Sequence, residues 1–311
     1  MKIREANHSD IPEILEVLKA SLGETSSKKN QDIWRFKHVE NPFGESLVLL
    51  AEEKDNIIGV RAFMRWRWQQ GENIFSAFRA VDTATHPAHQ GKGIFKKLTL
   101  KALELGKERG DHFVFNTPNQ QSKPGYLKMG WKEIDKLNTQ IIPIIPFFWN
   151  SISVQHYPKQ TTDLSLKLLS VWNSKLEDSS NLYTPKTKDY LEWRYINNPL
   201  QEYRIETTEN YFIAAYVKQH KKFKELRISE LILVDPQYKK TCKSLIKKWA
   251  KEYGVHFISL NYPLDPSIFK LKVSGKFGPV LTFKNLESSS IDPKVYRIEN
   301  WGYSLGDLEL F

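Results

Sequence analysis

Four residues at a strand-to-helix junction, Gln90-Gly91-Lys92-Gly93, have the types that can hold an anion. Glycine lets a backbone bend tightly and approach a ligand closely. The free amides of the following helical turn, aided by the helix dipole, favour phosphate. Lys92 adds a positive charge. A plain tight turn uses the same residues, and a Gly-x-Gly alone does not separate the two readings. The Gly-Lys-Ser/Thr ending of a nucleotide P-loop is absent, and Phe95 and Lys96 follow where a dinucleotide fingerprint would continue.

Other side chains near this junction could move protons. Asp82 precedes it on the same strand, a carboxylate that could accept a proton or pair with Arg79. His86 and His89 precede the glycines as possible bases or as solvated loop residues. The histidines lack the paired spacing of a metal site. Upstream, Arg61, Phe63, Arg65 and Arg67 alternate with Ala62, Met64, Trp66 and Trp68. This alternation predicts a strand with one packed and one solvated face. In the alternative, the arginines face an anionic ligand.

The elements that position these residues follow from periodicity. Lys2 to Ala6 reads as a short strand. Pro12 opens a helix carrying Ile11, Ile14, Leu15, Leu18 and Leu22, which Gly23 ends. A second helix is predicted around Gln31–Val39. Strands are predicted at Ser46–Glu52 and Ile57–Trp68 as a hairpin, and again at Ser76–Thr85. A helix then carries Ile94, Leu98, Ala102 and Leu105, and a strand follows at His112–Asn116. The proline-containing stretch 142–165 reads as a connection, followed by a helix near Leu164–Leu176.

The two halves echo each other. Trp34-Arg35-Phe36 and Asn41-Pro42 return as Trp193-Arg194-Tyr195 and Asn198-Pro199. A hairpin, a strand ending at Pro87 or Pro236, a helix, and a strand ending at Pro118 or Pro263 follow in the same order. This order predicts one fold used twice, with domains at 1–145 and 146–311. Trp34 and Trp193 read as anchors for their helices, or as lining of an acceptor cleft. In the second copy Tyr238-Lys239-Lys240-Thr241 replaces the glycine loop. Cys242 falls on a lysine-rich helix there and reads as structural. Trp301 to Asp307 suggests a shaped turn.

The segment from Thr83 to Ile94 resembles the acyl-coenzyme A loop of the GNAT N-acetyltransferase superfamily. That motif is Gln/Arg-x-x-Gly-x-Gly/Ala after a strand that ends near a proline. A second motif agrees: Asn119, then Tyr126-Leu127-Lys128-Met129-Gly130-Trp131. The resemblance covers about residues 1–140 and departs from the family at Phe95, where a small residue is usual. It implies a mixed α/β fold, and with the repeat, two GNAT-like folds in tandem. The second copy would be degenerate and shape the acceptor cleft.

The resemblance also implies roles. The pyrophosphate of acetyl-coenzyme A, or of another acyl-coenzyme A, would rest on Gln90, Gly91, Lys92, Gly93, Ile94 and Phe95, with Asn119 nearby. The backbone of Thr83, Ala84 and Thr85 would align the pantetheine arm. Tyr126 would protonate the departing thiolate, or else be a packed core tyrosine. Asp82 would be the base.

The implied reaction is acetyl transfer to a primary amine of a small molecule, such as an amino sugar, an amino acid or a polyamine. An aminoacyl-tRNA-dependent transferase and a non-catalytic coenzyme A-binding module are the alternatives. The chain has 311 residues and a formal net charge of +10. That charge permits a nucleic-acid partner but equally a soluble basic surface, and the intact loop argues for the small-molecule acceptor. One cysteine excludes an internal disulfide framework. No apolar run of membrane-spanning length and no signal-like N-terminus is present, so the reading is a cytoplasmic enzyme.

Overall fold

The computed structural model describes residues 1–23, 29–144, 157, 163–262, 273–286 and 291–308. These residues form two compact units. The first contains Met1–Asp135 with Pro279–Ile298; the second contains Lys136–Gly278 and Glu299–Leu310.

In the first unit, β1 (Lys2–Glu5) is followed by α1 (Ile11–Leu22), which ends at Gly23 with φ of 66°. Asn30 Oδ1 accepts from Ile33 N at 2.9 Å and so starts α2 (Gln31–His38). Then come β2 (Leu47–Glu53), β3 (Asn56–Gln70), β4 (Asn73–Thr85), α3 (Ile94–Glu108), β5 (Phe113–Asn116), α4 (Lys123–Lys128) and β6 (Lys132–Lys136). One face of the sheet packs Val60 and Leu50 under Ile14, Leu18 and Trp34. The other packs Phe63 and Phe78 under Ile94, Leu98 and Ala102. A Cβ on Gly59 would lie 2.6 Å from Ile94 Cγ2, so α3 rests directly on the β3 backbone.

Helices on both sheet faces correct one expectation. β3 has no solvated face along most of its length: Arg61 and Phe63 are as buried as Ala62, Met64, Trp66 and Trp68. Of that face only Arg67 is exposed.

The second unit repeats the plan. It contains β7 (Thr139–Pro143), α5 (Leu166–Glu177), β8 (Leu182–Tyr183), α6 (Lys188–Leu191) and a π-helical turn at Glu192–Ile196. β9 (Arg204–Thr207), β10 (Tyr211–Gln219), β11 (Lys224–Leu233), α7 (Lys239–Glu252), β12 (Phe257–Leu260) and β13 (Val273–Gly275) follow. Cys242, Ile246, Trp249 and Ala250 of α7 pack on Ile213, Leu226 and Ile258. Burial pushes the Cys242 thiol up to about 12, which fits an inert core side chain. Trp34 and Trp193 are both buried. In each copy the Asn of the Asn-Pro pair makes the same turn: Asn41 Oδ1 accepts from Phe43 N, and Asn198 Oδ1 from Leu200 N, both at 2.9 Å. Most of the connecting stretch read at 142–165 lies outside the described residues, as does Pro263.

The copies are not contiguous in the chain. The first sheet runs β1-β2-β3-β4-β5-β14-β6, where β14 is Val280–Asn285. β14 pairs antiparallel with β5, Phe283 opposite Phe115. The second sheet runs β13-β7-β12-β11-β10-β9, with Ile142 of β7 opposite Ile258. Each copy therefore completes its sheet with a strand from the other half of the sequence. The boundary read at 145 falls after a strand that belongs to the second unit. β15 (Trp301–Gly302), paired with β8, and α8 (Leu305–Leu308) close the second unit.

Candidate active site

The site in the first unit begins with a break in the β3–β4 ladder. Arg61 pairs with Thr83 but Ala62 pairs with Val81, which leaves Asp82 as an extra residue on β4. Its φ is 25°, a left-handed conformation that an ordinary strand residue avoids. β4 also leaves its parallel neighbour. The ladder to β5 ends at Arg79 opposite Phe115. Beyond that point Thr83, Ala84 and Thr85 carry backbone groups that β5 does not take up.

β4 leads into the glycine loop. Gly91 has φ of 78° and Gly93 has φ of 70°, and a Cβ on either would meet nothing within 4 Å. Their requirement is therefore conformational, and the space beside them is open. Gly93 precedes the first turn of α3, where a non-glycine residue would have to hold a left-handed conformation. Gln90 Nε2 donates to Thr85 O at 3.3 Å and ties the loop to its strand. Lys92 is exposed, with Nζ 4.0 Å from Glu53 and 3.3 Å from His89 Nδ1. His89 also lies 3.3 Å from Glu53. His86 Nδ1 accepts from Ala88 N at 3.3 Å, a local turn contact.

Tyr126 is buried on α4, with its ring at 5.1 Å from Trp131 and 5.6 Å from Phe95. Its phenolic oxygen accepts from Arg61 Nη1 at 2.8 Å. Arg61 is 0% exposed, and its Nε and Nη2 have no hydrogen-bond partner among the described residues. Its guanidinium lies over Phe63, Phe95 and Tyr126 at 4.7, 5.6 and 5.3 Å from the ring centroids. Phe95, the departure from the family pattern, sends its ring against Gly125, where a Cβ would sit 3.2 Å from Phe95 Cε1. A small residue at Gly125 accommodates the large one at 95.

Asp82 is ion-paired to Lys37 and accepts from His38 Nε2 at 3.0 Å. The partner weighed from sequence was Arg79; that guanidinium instead lies 6.0 Å from the Trp66 and Phe115 ring centroids. Burial alone would raise the Asp82 carboxyl, but the Lys37 charge and the His38 hydrogen bond hold it well below the usual carboxylate range. Burial pushes His38 down toward its neutral form, and its Nδ1 sits 2.9 Å from Ser46 Oγ.

The loop residues 90–95, Thr83–Thr85, Tyr126 and Asp82 thus all lie around the open end of β4. Asn119 does something more local: its Oδ1 accepts from Ser122 N and Ser122 Oγ, both at 2.9 Å, shaping the entry to α4. Arg65 is engaged by Asp111 and by Ser76 at 3.0 Å. Sequence reasoning missed Lys37 and His38 altogether. It placed Arg61 on a solvated face, although the apolar Phe63 on that same face was the available signal.

A sheet with a bulge, a splayed parallel pair, a glycine-bounded helix start and a buried tyrosine beyond it defines an acyl-transfer fold. Residues 2–134 match the acetyltransferase (GNAT) domain family. That match is confined to the first unit, which carries a GNAT acetyltransferase domain. Solved structures resemble the chain in fold. A GCN5-related N-acetyltransferase from Anabaena variabilis is 12% identical, with a TM-score of 0.66, over 92% of this chain and 73% of that one. A conserved protein from Enterococcus faecalis V583 is 9% identical, with a TM-score of 0.67 over the same shares. A GCN5-related N-acetyltransferase from Kribbella flavida is 12% identical, with a TM-score of 0.61, over 91% and 70%. No curated protein matches the chain. Among the described residues no helix is long and apolar enough to cross a membrane.

Proposed function

We propose that the first unit transfers an acetyl group from acetyl-coenzyme A to a primary amine of a small molecule. The observation that carries this reading is the open edge of β4, which runs from the Asp82 bulge to the glycine-bounded start of α3. A linear arm can add to such an edge as a strand would. A pyrophosphate fits the first-turn amides of α3, because both glycines leave open space there. The bound thioester supplies an activated acyl carbonyl.

The chain's own residues then divide the work. Gln90 to Phe95 bind the pyrophosphate and Thr83 to Thr85 align the arm, while Asn119 supports the loop before α4. Tyr126 holds a proton at its phenolic oxygen. Because that oxygen already accepts from Arg61, its own O–H is free to donate elsewhere, which suits protonation of a leaving thiolate. Asp82 is held ionised by Lys37 and His38, so the amine attacks in its neutral form, which carries the lone pair, beside a carboxylate that is free of a proton. It is a weak base, but an amine nitrogen becomes acidic as it attacks, and its proton can then pass to a weakly basic carboxylate.

Thiol release from acetyl-coenzyme A across a panel of amino sugars, amino acids and polyamines tests the proposal. Turnover with at least one amine, lost in Gly93→Asp, is the expected result. Failure of the full chain to bind acetyl-coenzyme A by calorimetry would overturn it. The second unit lacks the glycine loop, and we assign it no cofactor.

A further inference from the structure

One buried cation in the first unit has no anion beside it. Arg61 is 0% exposed, yet its Nε and Nη2 have no hydrogen-bond partner among the described residues. Buried cations elsewhere meet carboxylates: Lys37 pairs with Asp82, and Lys186 with Asp307 at 2.7 Å. Arg194 of the second unit also donates to a tyrosine, Tyr203 at 2.9 Å, but its Nε donates to Gly306 O at 3.0 Å. Burying a charge without a partner costs free energy. The Phe63, Phe95 and Tyr126 rings around the Arg61 guanidinium offset part of that cost.

The position of Arg61 connects this charge to the reaction. Arg61 lies opposite Thr83, the first residue beyond the Asp82 bulge and the start of the open edge of β4. Its Nη1 donates to the Tyr126 phenolic oxygen at 2.8 Å. While Tyr126 is a neutral phenol, this is an ordinary hydrogen bond to a cation. Once the phenol proton leaves, the same oxygen carries a negative charge, and the bond joins two opposite charges. Away from water that attraction is far stronger than at a surface. The contact therefore strengthens as the proton leaves, which raises kcat rather than substrate binding.

We propose that Arg61 is a positioning residue of the acyl-transfer site: it orients the Tyr126 hydroxyl and becomes the counter-ion of the phenolate that proton transfer leaves. This role rests on Tyr126 being the acid of the reaction proposed above. Tyr126 delivers its proton to the sulfur as the amine nitrogen bonds to the acyl carbon and the C–S electron pair moves to sulfur. Asp82 takes the proton that the amine nitrogen loses. Solvent then reprotonates Tyr126 and accepts the proton from Asp82, which restores both groups.

Arg61→Met keeps the length of the side chain and removes its charge. It is expected to lower kcat by at least about tenfold, with KM and calorimetric affinity for acetyl-coenzyme A unchanged. In a Tyr126→Phe chain the same substitution is expected to change kcat by less than about twofold, because two residues acting on one proton are not additive. Thermal unfolding without acetyl-coenzyme A gives a readout apart from activity. Removing an uncompensated charge should leave the Arg61→Met midpoint at or above that of the unsubstituted chain, whereas an arginine that serves packing alone would lower it. No turnover by the unsubstituted chain, or full kcat in Tyr126→Phe, would overturn the acyl-transfer reading or its acid, and this role with them. With turnover and the Tyr126 effect in place, three results would each overturn the role of Arg61 alone. These are unchanged kcat in Arg61→Met, an equal loss with and without the Tyr126 hydroxyl, and a midpoint below that of the unsubstituted chain, failure to fold included.

Discussion

Arg61 Nη1 donates a 2.8 Å hydrogen bond to the phenolic oxygen of Tyr126, and both residues are buried. Two further guanidinium nitrogens have no partner among the described residues. A positive charge is thus fixed beside the proton that the proposed reaction spends. Tyr126→Phe is expected to lower kcat by about 100-fold, within the range general acids supply, with little change in KM for acetyl-coenzyme A. Steady-state thiol release measures both. Equal kcat in the variant would leave Tyr126 as a core residue only.

Gly93 has a φ of 70° in open space. Gly93→Ala is therefore expected to cost about 1–2 kcal/mol from left-handed strain alone. Gly93→Asp adds a negative charge where the pyrophosphate is proposed to sit. Acetyl-coenzyme A affinity should fall more in the Asp variant than in the Ala variant, and calorimetry on both separates strain from charge.

The Asp82 carboxyl is depressed by Lys37 and His38 in the folded chain. A depressed carboxyl binds its proton more weakly folded than unfolded. Its contribution to stability is then fully present above the unfolded value of about 4 and is lost as the pH falls toward the folded value. Unfolding midpoints should therefore drop with acid below about pH 4, and Lys37→Met should flatten that dependence while lowering stability at neutral pH. Denaturation of both proteins across this range reads the effect; parallel curves would show that the ion pair contributes nothing.

Phe283 of β14 is 0% exposed and packs at 4.9 Å from Phe113 and 5.4 Å from Tyr296. Phe283→Ala is expected to destabilise the first unit by about 3–5 kcal/mol, as for other buried phenylalanines. A chain cut after residue 145 loses β14 altogether, exposes the inner edges of β5 and β6, and should aggregate. A soluble, cooperative 1–145 fragment by circular dichroism would contradict the strand exchange.

Much was legible in the residues themselves. Apolar spacing marks α1 and α3, the Asn-Pro pairs mark the repeat, and Gly91 and Gly93 mark a helix start that needs positive φ. Each of these depends on local backbone preference, which a short stretch of sequence carries. The glycine loop and the second copy's loss of it were readable for the same reason.

Tertiary structure decided the rest. Arg61 and Tyr126 are 65 residues apart, Lys37 and Asp82 are 45 apart, and Lys186 and Asp307 are 121 apart. No local rule joins such pairs; they meet because a sheet brings distant strands side by side and buries their charges together. The fate of β7 and β14 was hidden likewise, since a short apolar strand pairs with whichever edge is open. Residue types and their spacing specified two copies of a fold and one glycine-bounded helix start. The packing decided which buried charges face each other, because only burial makes an unpaired charge costly enough to select its partner.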